Sequence, residues 1–357
     1  MIDLFLAEFK QWSLLISIIS MICMYIITII FWPTLMSKFG LKKYQAVQRV
    51  HVGEVPRVGG LISVIGIFLY WMMCTHGRTI PFVEALLISS IPLVIISIKE
   101  DFFHNTRAFS RLLMMFLSCF LFFYLYDVNF PQIEFPGLGP MIDSSIFMSW
   151  LFFAFCVVVI INGNNLIDGA NGLMPMSIIM QCLSLFYICF ETQDLTNMIR
   201  LIYILTPMVI FLIFNYPWGK VFMGDLGAYF FGFFISLLTI VIFGEHPELP
   251  TWGAVIILFY PALELLFSVC RKVLEGHNPM SPDSHHLHLK MFYFLKQEGM
   301  KSRVSNGLVM PCLGLIWAMP FILFVWVFQS LTLTLIALLI MLIIYVGFYW
   351  TLPRKTN

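Results

Sequence analysis

Residues 162–173 read Asn162-Gly163-Asn164-Asn165-Leu166-Ile167-Asp168-Gly169-Ala170-Asn171-Gly172-Leu173, a polar run set between two long apolar stretches. Within it, Asn162, Asn165, Asp168 and Asn171 recur at every third position. Hydrogen-bonding groups beside hydrocarbon are costly unless they are paired or bind a ligand. The run therefore indicates a functional site at the edge of a membrane-embedded chain.

The three-residue spacing makes a prediction about the backbone. In a continuous α-helix, three steps of three residues rotate the chain by roughly −180°, which would place Asn162 and Asn171 on opposite faces. If all four side chains face one ligand, the segment must tighten towards 3₁₀ geometry or break near Gly169. A purely structural asparagine network between helices is the alternative.

Composition places the whole chain in the membrane. The 357 residues are 60% hydrophobic and 11% charged, with a mean hydropathy of +0.92, whereas soluble domains are typically about 25% charged. We predict an all-α, polytopic integral membrane protein of about eleven transmembrane helices, forming a single domain over residues 1–357. The predicted spans are 12–32, 61–75, 81–98, 112–130, 146–161, 173–190, 198–214, 223–243, 251–268, 305–328 and 331–352.

The basic residues predict the orientation of the chain. With the N-terminus outside, all of the 20 Lys and Arg except Lys10, Arg78 and Arg200 fall on the cytosolic side. The positive-inside rule therefore predicts an external N-terminus and a cytosolic C-terminus. The polar segments on the cytosolic face are then 33–60, 99–111, 162–172, 215–222 and 269–304.

Two of the polar clusters on that face are rich in charge. Residues 49–60 include His51, Arg57 and a Gly59-Gly60 pair, which predict a tight loop whose backbone approaches a ligand while Arg57 holds a phosphate. The acids Glu100 and Asp101 end an apolar span, where mutual repulsion raises the proton affinity of one of them. The alternatives are an ordinary positive-inside loop and a solvated helix end.

Two further clusters suit a cation and a phosphate. Asp225 lies between Gly224 and Gly227, an exposed position favourable for a hard divalent cation, although a capped helix start is the alternative. Residues 279–288 contain His285, His286 and His288, which suit a pyrophosphate; zinc and a solvated loop remain as alternatives. We expect residues 285–297 to form an amphipathic helix lying on the membrane.

Taken in order, the five clusters resemble the polyprenyl-phosphate N-acetylhexosamine-1-phosphate transferase family. The resemblance covers about residues 45–290, and its specific parts are the run at 162–173 and Met223-Gly224-Asp225. The enzymes that begin O-antigen synthesis are the most similar, because of residues 56–60 and 286–288. Glu100 departs from the aspartate found in many relatives, and Asn171 replaces a second aspartate.

The resemblance implies transfer of an N-acetylhexosamine 1-phosphate from a UDP-sugar to undecaprenyl phosphate, with release of UMP. It implies Mg²⁺ as the cofactor, with Mn²⁺ as a substitute, and a multi-pass protein of the bacterial cytoplasmic (inner) membrane. The partners expected are undecaprenyl phosphate, a UDP-N-acetylhexosamine and the membrane, without nucleic acid, and a homodimer is an open option.

The family roles transfer to matching positions of this sequence. Metal binding falls to Asp225 and Asn165, and the catalytic group is Glu100, Asp101 and Asp168. The nucleotide-sugar contacts are Asn162, Asp168, Asn171, His51 and Arg57, and the phosphate contacts are Arg111, His286 and His288.

Two questions of mechanism and class stay open at the level of sequence. Direct displacement, with Glu100 or Asp101 positioning or deprotonating the acceptor phosphate, competes with a covalent acyl-phosphate intermediate. A secondary transporter is the rival class, since proteins of this size often are transporters, and Glu264 near the membrane interior suits it.

Overall fold

The structure, a computed structural model, describes residues 11–39, 55–73, 80–281 and 283–353, which form helices and connecting loops without a strand. The helices are α1 Gln11–Phe39, α2 Gly59–Met73, α3 Ile80–Ser89, α4 Ile91–Phe103, α5 Ala108–Leu125, α6 Leu138–Asp143, α7 Ile146–Ile167, α8 Leu173–Glu191, α9 Leu195–Asn215, α10 Gly224–Glu245, α11 Trp252–Ile257, α12 Phe259–Leu274, α13 Leu287–Gln297, α14 Ser302–Cys312, α15 Gly314–Val327 and α16 Leu331–Thr351.

The helices confirm the predicted all-α, polytopic class. Among the described residues, eight helical segments are long and apolar enough to cross a bilayer, and the bent pair α3–α4 would make nine. Helix α2 is apolar but shorter, at 15 residues. The count of eleven spans and the orientation of the termini stay predictions.

Three of the predicted spans are interrupted, and each interruption lies beside a proline. The pair α3–α4 bends by 45° just before Pro92. The break between α11 and α12 precedes Pro261, and α14 ends beside Pro311. Proline lacks the backbone N–H and clashes with the carbonyl four residues earlier, so a helix breaks or bends there.

Helix α10 is the centre of the protein. It is buried from Gly224 to Phe243 and packs against α7, α4 and α2, among others. A helix that is apolar on all sides belongs in such an interior position. Its N-terminal end carries Asp225, so the central helix begins at the predicted site.

The Gly59-Gly60 pair does not serve the purpose predicted for it. A Cβ on Gly60 would overlap the backbone of Gly227, so α2 and α10 touch backbone to backbone. We predicted that these glycines let the backbone approach a ligand, and this is wrong, because the backbone at Gly60 approaches another helix instead.

The amphipathic helix predicted at 285–297 is present as α13, but it does not lie apart from the protein. Its apolar residues Leu287, Leu289, Met291, Phe292 and Leu295 are all buried within the protein. The pattern of one apolar face is the same for a membrane surface and for a protein neighbour, so the sequence did not distinguish them.

Candidate active site

Asp225 lies between two arginines at the start of α10. One carboxylate oxygen is 3.7 Å from Nη2 of Arg57, and the other is 3.7 Å from Nη1 of Arg111. These separations exceed the ~2.7–2.9 Å of a charge-assisted hydrogen bond. The carboxylate is thus surrounded by positive charge without being tied to either guanidinium.

Backbone pairing brings Arg57 to this position. The N–H of Phe222 donates to the carbonyl of Pro56 at 2.8 Å, and those of Gly59 and Gly60 donate to the carbonyls of Phe222 and Met223 at 2.9 and 2.8 Å. Arg57 sits within this paired segment, beside Asp225. His51 lies outside the described residues, so its predicted role is not placed.

Asp101 caps the N-terminus of α10 from another helix. Its Oδ1 accepts the N–H of Asp225 at 2.9 Å, and its Oδ2 accepts the N–H of Leu226 at 3.0 Å. A carboxylate is favourable here because the first N–H groups of a helix lack partners and carry partial positive charge. The helix start is capped by an aspartate, but by Asp101 rather than Asp225.

Glu100 points to a different set of partners. Its Oε2 accepts the N–H of Thr106 at 3.0 Å and also the hydroxyl of that residue. Its Oε1 is 3.6 Å from Nη1 of Arg111, which therefore bridges Glu100 and Asp225. The adjacent acids thus face different groups, and Asp101 is the one committed to the helix.

A tyrosine links the polar run to Asp225. Nδ2 of Asn165 donates to the hydroxyl of Tyr229 at 3.3 Å, and this hydroxyl donates to Oδ2 of Asp225 at 3.4 Å. Asp168 is half-buried and interacts electrostatically with Asp225, Asp101 and Arg57. Burial and the neighbouring carboxylates raise the pKa of Asp168 well above its usual range, and Arg57 opposes the rise.

The helix through the polar run breaks near Gly169, which is one of the two predicted outcomes. Helix α7 ends at Ile167, and α8 begins at Leu173 after Gly172, whose φ is +79°. The backbone N–H groups of Asn171 and Gly172 donate to Oδ1 of Asn306 and Asn215. Two asparagines from other helices therefore hold the turn.

Asn162 and Asn171, the other asparagines of the three-residue repeat, have protein partners. Asn162 donates through Nδ2 to the carbonyl of Val158 at 2.8 Å, within its own helix. Asn171 is 4% exposed and donates through Nδ2 to the carbonyl of Pro217 at 2.8 Å. The four side chains are not gathered around one point, and the nucleotide contacts of Asn162 and Asn171 stay predictions.

The histidines lie under the polar turn. His286 and His288 are each 3% exposed, and their rings stack with centroids 5.9 Å apart. A Cβ on Gly169 would overlap the His288 ring, so this imidazole packs directly on the turn. Burial, reinforced by His286, lowers the pKa of His288 to about 4.

Asp283 connects the histidine cluster to the guanidinium of Arg271. It accepts hydrogen bonds from Arg271 and Ser268, and from the N–H of His285 at 2.9 Å. Burial alone would raise the pKa of Asp283, but His286, that N–H and Arg271 lower it to about 2.

The groups around Asp225 fit a hard divalent cation. Among the described residues, no cluster of three or more His, Cys, Asp or Glu side chains could hold a metal. Mg²⁺ needs fewer protein ligands, because it binds through one or two carboxylates and completes its shell with phosphate and water. The Asp225 carboxylate, not directly hydrogen-bonded to either arginine, and the amide oxygen of Asn165 supply that donor set.

Sequence reasoning missed three contributors. Tyr229 is one helical turn beyond Asp225, a spacing that would have identified it as a neighbour. Thr106 comes six residues after Glu100 across a loop, and no local pattern signals their contact. Glu264 was assigned to a transporter, whereas it accepts hydrogen bonds from α13 and α16.

Comparison with known proteins identifies a family whose model matches the central part of the chain. Residues 83–243 match the family model for glycosyl transferase family 4. This segment contains Glu100, Asp101, Arg111, Asn165, Asp168 and Asp225.

Three relatives match most of the chain. A Bacillus subtilis (strain 168) protein named "Probable undecaprenyl-phosphate N-acetylglucosaminyl 1-phosphate transferase" is 23% identical over 86% of this chain and 82% of its own length. The "Undecaprenyl-phosphate alpha-N-acetylglucosaminyl 1-phosphate transferase" of Thermotoga maritima is 27% identical over 68% and 69%. A "Phospho-N-acetylmuramoyl-pentapeptide-transferase" of Streptococcus thermophilus is 24% identical over 76% and 87%.

Proposed function

We propose that the chain belongs to glycosyl transferase family 4, whose model matches residues 83–243, and that it transfers an N-acetylhexosamine 1-phosphate from a UDP-sugar to undecaprenyl phosphate. The products are UMP and a polyprenyl-pyrophosphate-linked sugar. The observation that carries the proposal is Asp225, placed between Arg57 and Arg111 at the start of the buried central helix. Carboxylates and guanidinium groups converge there from five separate parts of the chain.

The chemistry explains why such a mixed cluster is useful. An oxygen of the lipid phosphate attacks the β-phosphorus of the UDP-sugar, and the bond from that phosphorus to the UMP oxygen breaks. Two anions must therefore approach each other. Arg57 and Arg111 offset this repulsion and stabilise the charge that develops on the departing UMP.

Asp225 and the amide oxygen of Asn165 are the residues that would hold Mg²⁺. Bound there, the ion would supply electrostatic stabilisation to the diphosphate and the leaving group. Tyr229 holds the Asn165 and Asp225 side chains next to each other, because its hydroxyl accepts a hydrogen bond from the Asn165 amide and donates one to the Asp225 carboxylate.

The two adjacent acids take different roles in this proposal. Asp101 is a positioning residue, since both of its oxygens hold the first turn of the helix that presents Asp225. Glu100 faces Arg111 and is the acid available to orient or deprotonate the acceptor phosphate. We propose direct displacement, because an Asp101 carboxylate acting as nucleophile would have to leave the two N–H groups that it caps.

The position of the site suits a soluble donor and a lipid acceptor. The positive-inside pattern supports a site at the cytosolic surface, where a UDP-sugar would arrive from water and the polyprenyl tail would stay in lipid. We propose the cytoplasmic membrane of a bacterium as its location, and the first step of a cell-surface glycan as its place in synthesis.

The test is a reconstituted reaction. Purified protein is incubated with undecaprenyl phosphate, Mg²⁺ and a panel of UDP-N-acetylhexosamines, and UMP is measured. UMP from at least one sugar is expected, and its absence with every sugar would overturn the proposal. Trapping a phosphorylated protein without acceptor lipid would replace direct displacement by the covalent route.

The transporter alternative is weakened by Glu264, the one residue that favoured it. Its two oxygens accept hydrogen bonds from Leu287 and Tyr345, and it is 1% exposed. A carboxylate held in this way has a fixed structural environment rather than a pathway for a substrate.

A further inference from the structure

Glu264 on α12 is a buried carboxylate whose two oxygens are both occupied. Oε1 accepts the backbone N–H of Leu287 at 3.0 Å and lies 3.2 Å from Nδ1 of His286. Oε2 accepts the hydroxyl of Tyr345 at 2.8 Å. A buried carboxylate is costly unless its lone pairs are compensated, so each of these contacts contributes to holding it in place.

This contact determines how His286 is oriented. Because a carboxylate only accepts hydrogen bonds, Nδ1 of His286 is the nitrogen that carries the proton towards Glu264. The other nitrogen, Nε2, is buried, has no hydrogen-bond partner in the described parts of the chain, and lies 3.9 Å from Asp283. Buried polar atoms normally have partners, so Nε2 is the atom left for a ligand.

The orientation of the His286 ring affects the polar turn at Gly169 through the ring of His288. The ring of His288 stacks on that of His286 with an interplanar angle of 8°, and its other edge packs against Gly169. Gly169 is next to Asp168, so a rotation of the His286 ring would disturb the turn that carries a predicted catalytic acid. Glu264 thus contacts His286, the first of two stacked rings, and the second ring, His288, contacts Gly169 beside Asp168.

Helix α16 completes the arrangement. Tyr345 belongs to α16, and Nζ of Lys290 on α13 donates to the carbonyl of Tyr349 on the same helix. Helix α16 lies beyond the segment that matches the family model, and beyond the motifs found in the sequence. One contact reaches α12 through Glu264, and the other reaches α13, the helix that begins directly after His286.

We propose that Glu264 and Tyr345 are positioning residues of the transferase, which hold the His286 ring through Nδ1 so that Nε2, protonated in the imidazolium form, donates to the phosphates of the nucleotide sugar. This inference rests on the proposed function. Helix α16, which is long and apolar enough to cross a membrane, then also contributes to catalysis through one hydroxyl.

The experiment compares Tyr345→Phe with Tyr260→Phe in steady-state UMP release. Tyr260 is a matched control, because it is also buried near Glu264 and its hydroxyl has no hydrogen-bond partner among the described residues. For Tyr345→Phe we expect kcat to fall by about 10-fold to 100-fold, the range seen when the carboxylate partner of a functional imidazole is disturbed. For Tyr260→Phe we expect no change, and KM for the lipid stays constant in both.

A double-mutant cycle separates positioning from general destabilisation. If Tyr345 acts through His286, the variant Tyr345→Phe/His286→Ala is no slower than His286→Ala alone. Glu264→Gln is a second variant that retains an acceptor for Leu287 but not the charge, and it should lower kcat in the same direction. These variants are measured well below their melting temperatures.

The outcomes distinguish this inference from the proposed function. Equal rates for Tyr345→Phe and Tyr260→Phe, or additive losses in the cycle, would overturn the positioning role while the wild-type protein still releases UMP. Absence of UMP from the wild-type protein would instead overturn the function itself.

Discussion

Replacing Gly224 by alanine tests the contact between Asp101 and the start of α10. Gly224 has a φ of +77°, and a Cβ there would lie 2.8 Å from the carbonyl oxygen of Arg57 and 2.9 and 3.1 Å from the Asp101 carboxylate oxygens. The added methyl group must therefore displace either the backbone at Arg57 or the carboxylate that caps the helix.

The free energy lost in Gly224→Ala has two parts, one from the backbone conformation of residue 224 and one from the displacement of Asp101. A left-handed backbone conformation costs an alanine about 1 kcal/mol relative to glycine. Displacing Asp101 weakens two hydrogen bonds to a charged group, each worth about 1.5–3 kcal/mol. A loss of about 3 kcal/mol from the second part, if it falls on the transition state, lowers the rate by about 100-fold.

Gly276→Ala is the matched control for the cost of placing an alanine in a left-handed backbone conformation. Gly276 has a φ of +73° and nothing within 4 Å of the position of its Cβ. Both variants are assayed for UMP release and for thermal stability. We expect Gly276→Ala to keep near wild-type activity, and equal activities for the two variants would refute the reasoning.

Three further predictions follow from the same geometry. Asp101→Asn keeps the size of the side chain but turns an NH₂ group towards a backbone N–H, so UMP release should fall about 30-fold from a loss of about 2 kcal/mol, and an unchanged rate would contradict the capping role. Arg111→Lys keeps the charge but removes the guanidinium whose Nη1 lies 3.6 Å from Glu100 and 3.7 Å from Asp225, so kcat/KM for the UDP-sugar should fall about 10-fold, and parity with wild type would exclude a bridging role for the guanidinium. Burial lowers the pKa of His288 to about 4, so the unfolded state takes up a proton before the folded state does as the pH falls below about 6.5. The free energy of unfolding should therefore fall by about 2 kcal/mol between pH 7.5 and pH 5. In the same melting experiment, the free energy of unfolding of His288→Gln should fall by less.

The sequence was sufficient for the helical class and for locating several of the polar clusters that meet around Asp225, because both depend on local composition. Apolar runs of the length of a bilayer predict spans directly, and acids at span ends are costly enough to indicate function. The break after Ile167 was one of two predicted outcomes, but its premise was that four side chains share one ligand, and these side chains are not gathered around one point.

Contacts between distant segments could not be predicted in this way. The sequence places Glu100 and Asp101 side by side, but nothing local says that Asp101 turns to the N-H groups of Asp225 and Leu226. Glu264 is 22 residues from His286 and 81 from Tyr345. Its role depends on how α12, α13 and α16 pack, which the apolar pattern of each helix alone does not determine.

The central claim is that Asp225 holds the divalent cation required for transfer of the sugar phosphate. The most direct measurement is UMP release from UDP-sugar and undecaprenyl phosphate by the wild-type protein and by Asp225→Asn, each titrated with Mg²⁺ after treatment with EDTA. We predict that the wild-type protein loses activity with EDTA and regains it with Mg²⁺, while Asp225→Asn stays at least about 100-fold slower at saturating Mg²⁺. Full activity of Asp225→Asn, or wild-type activity that persists in EDTA, would contradict the account.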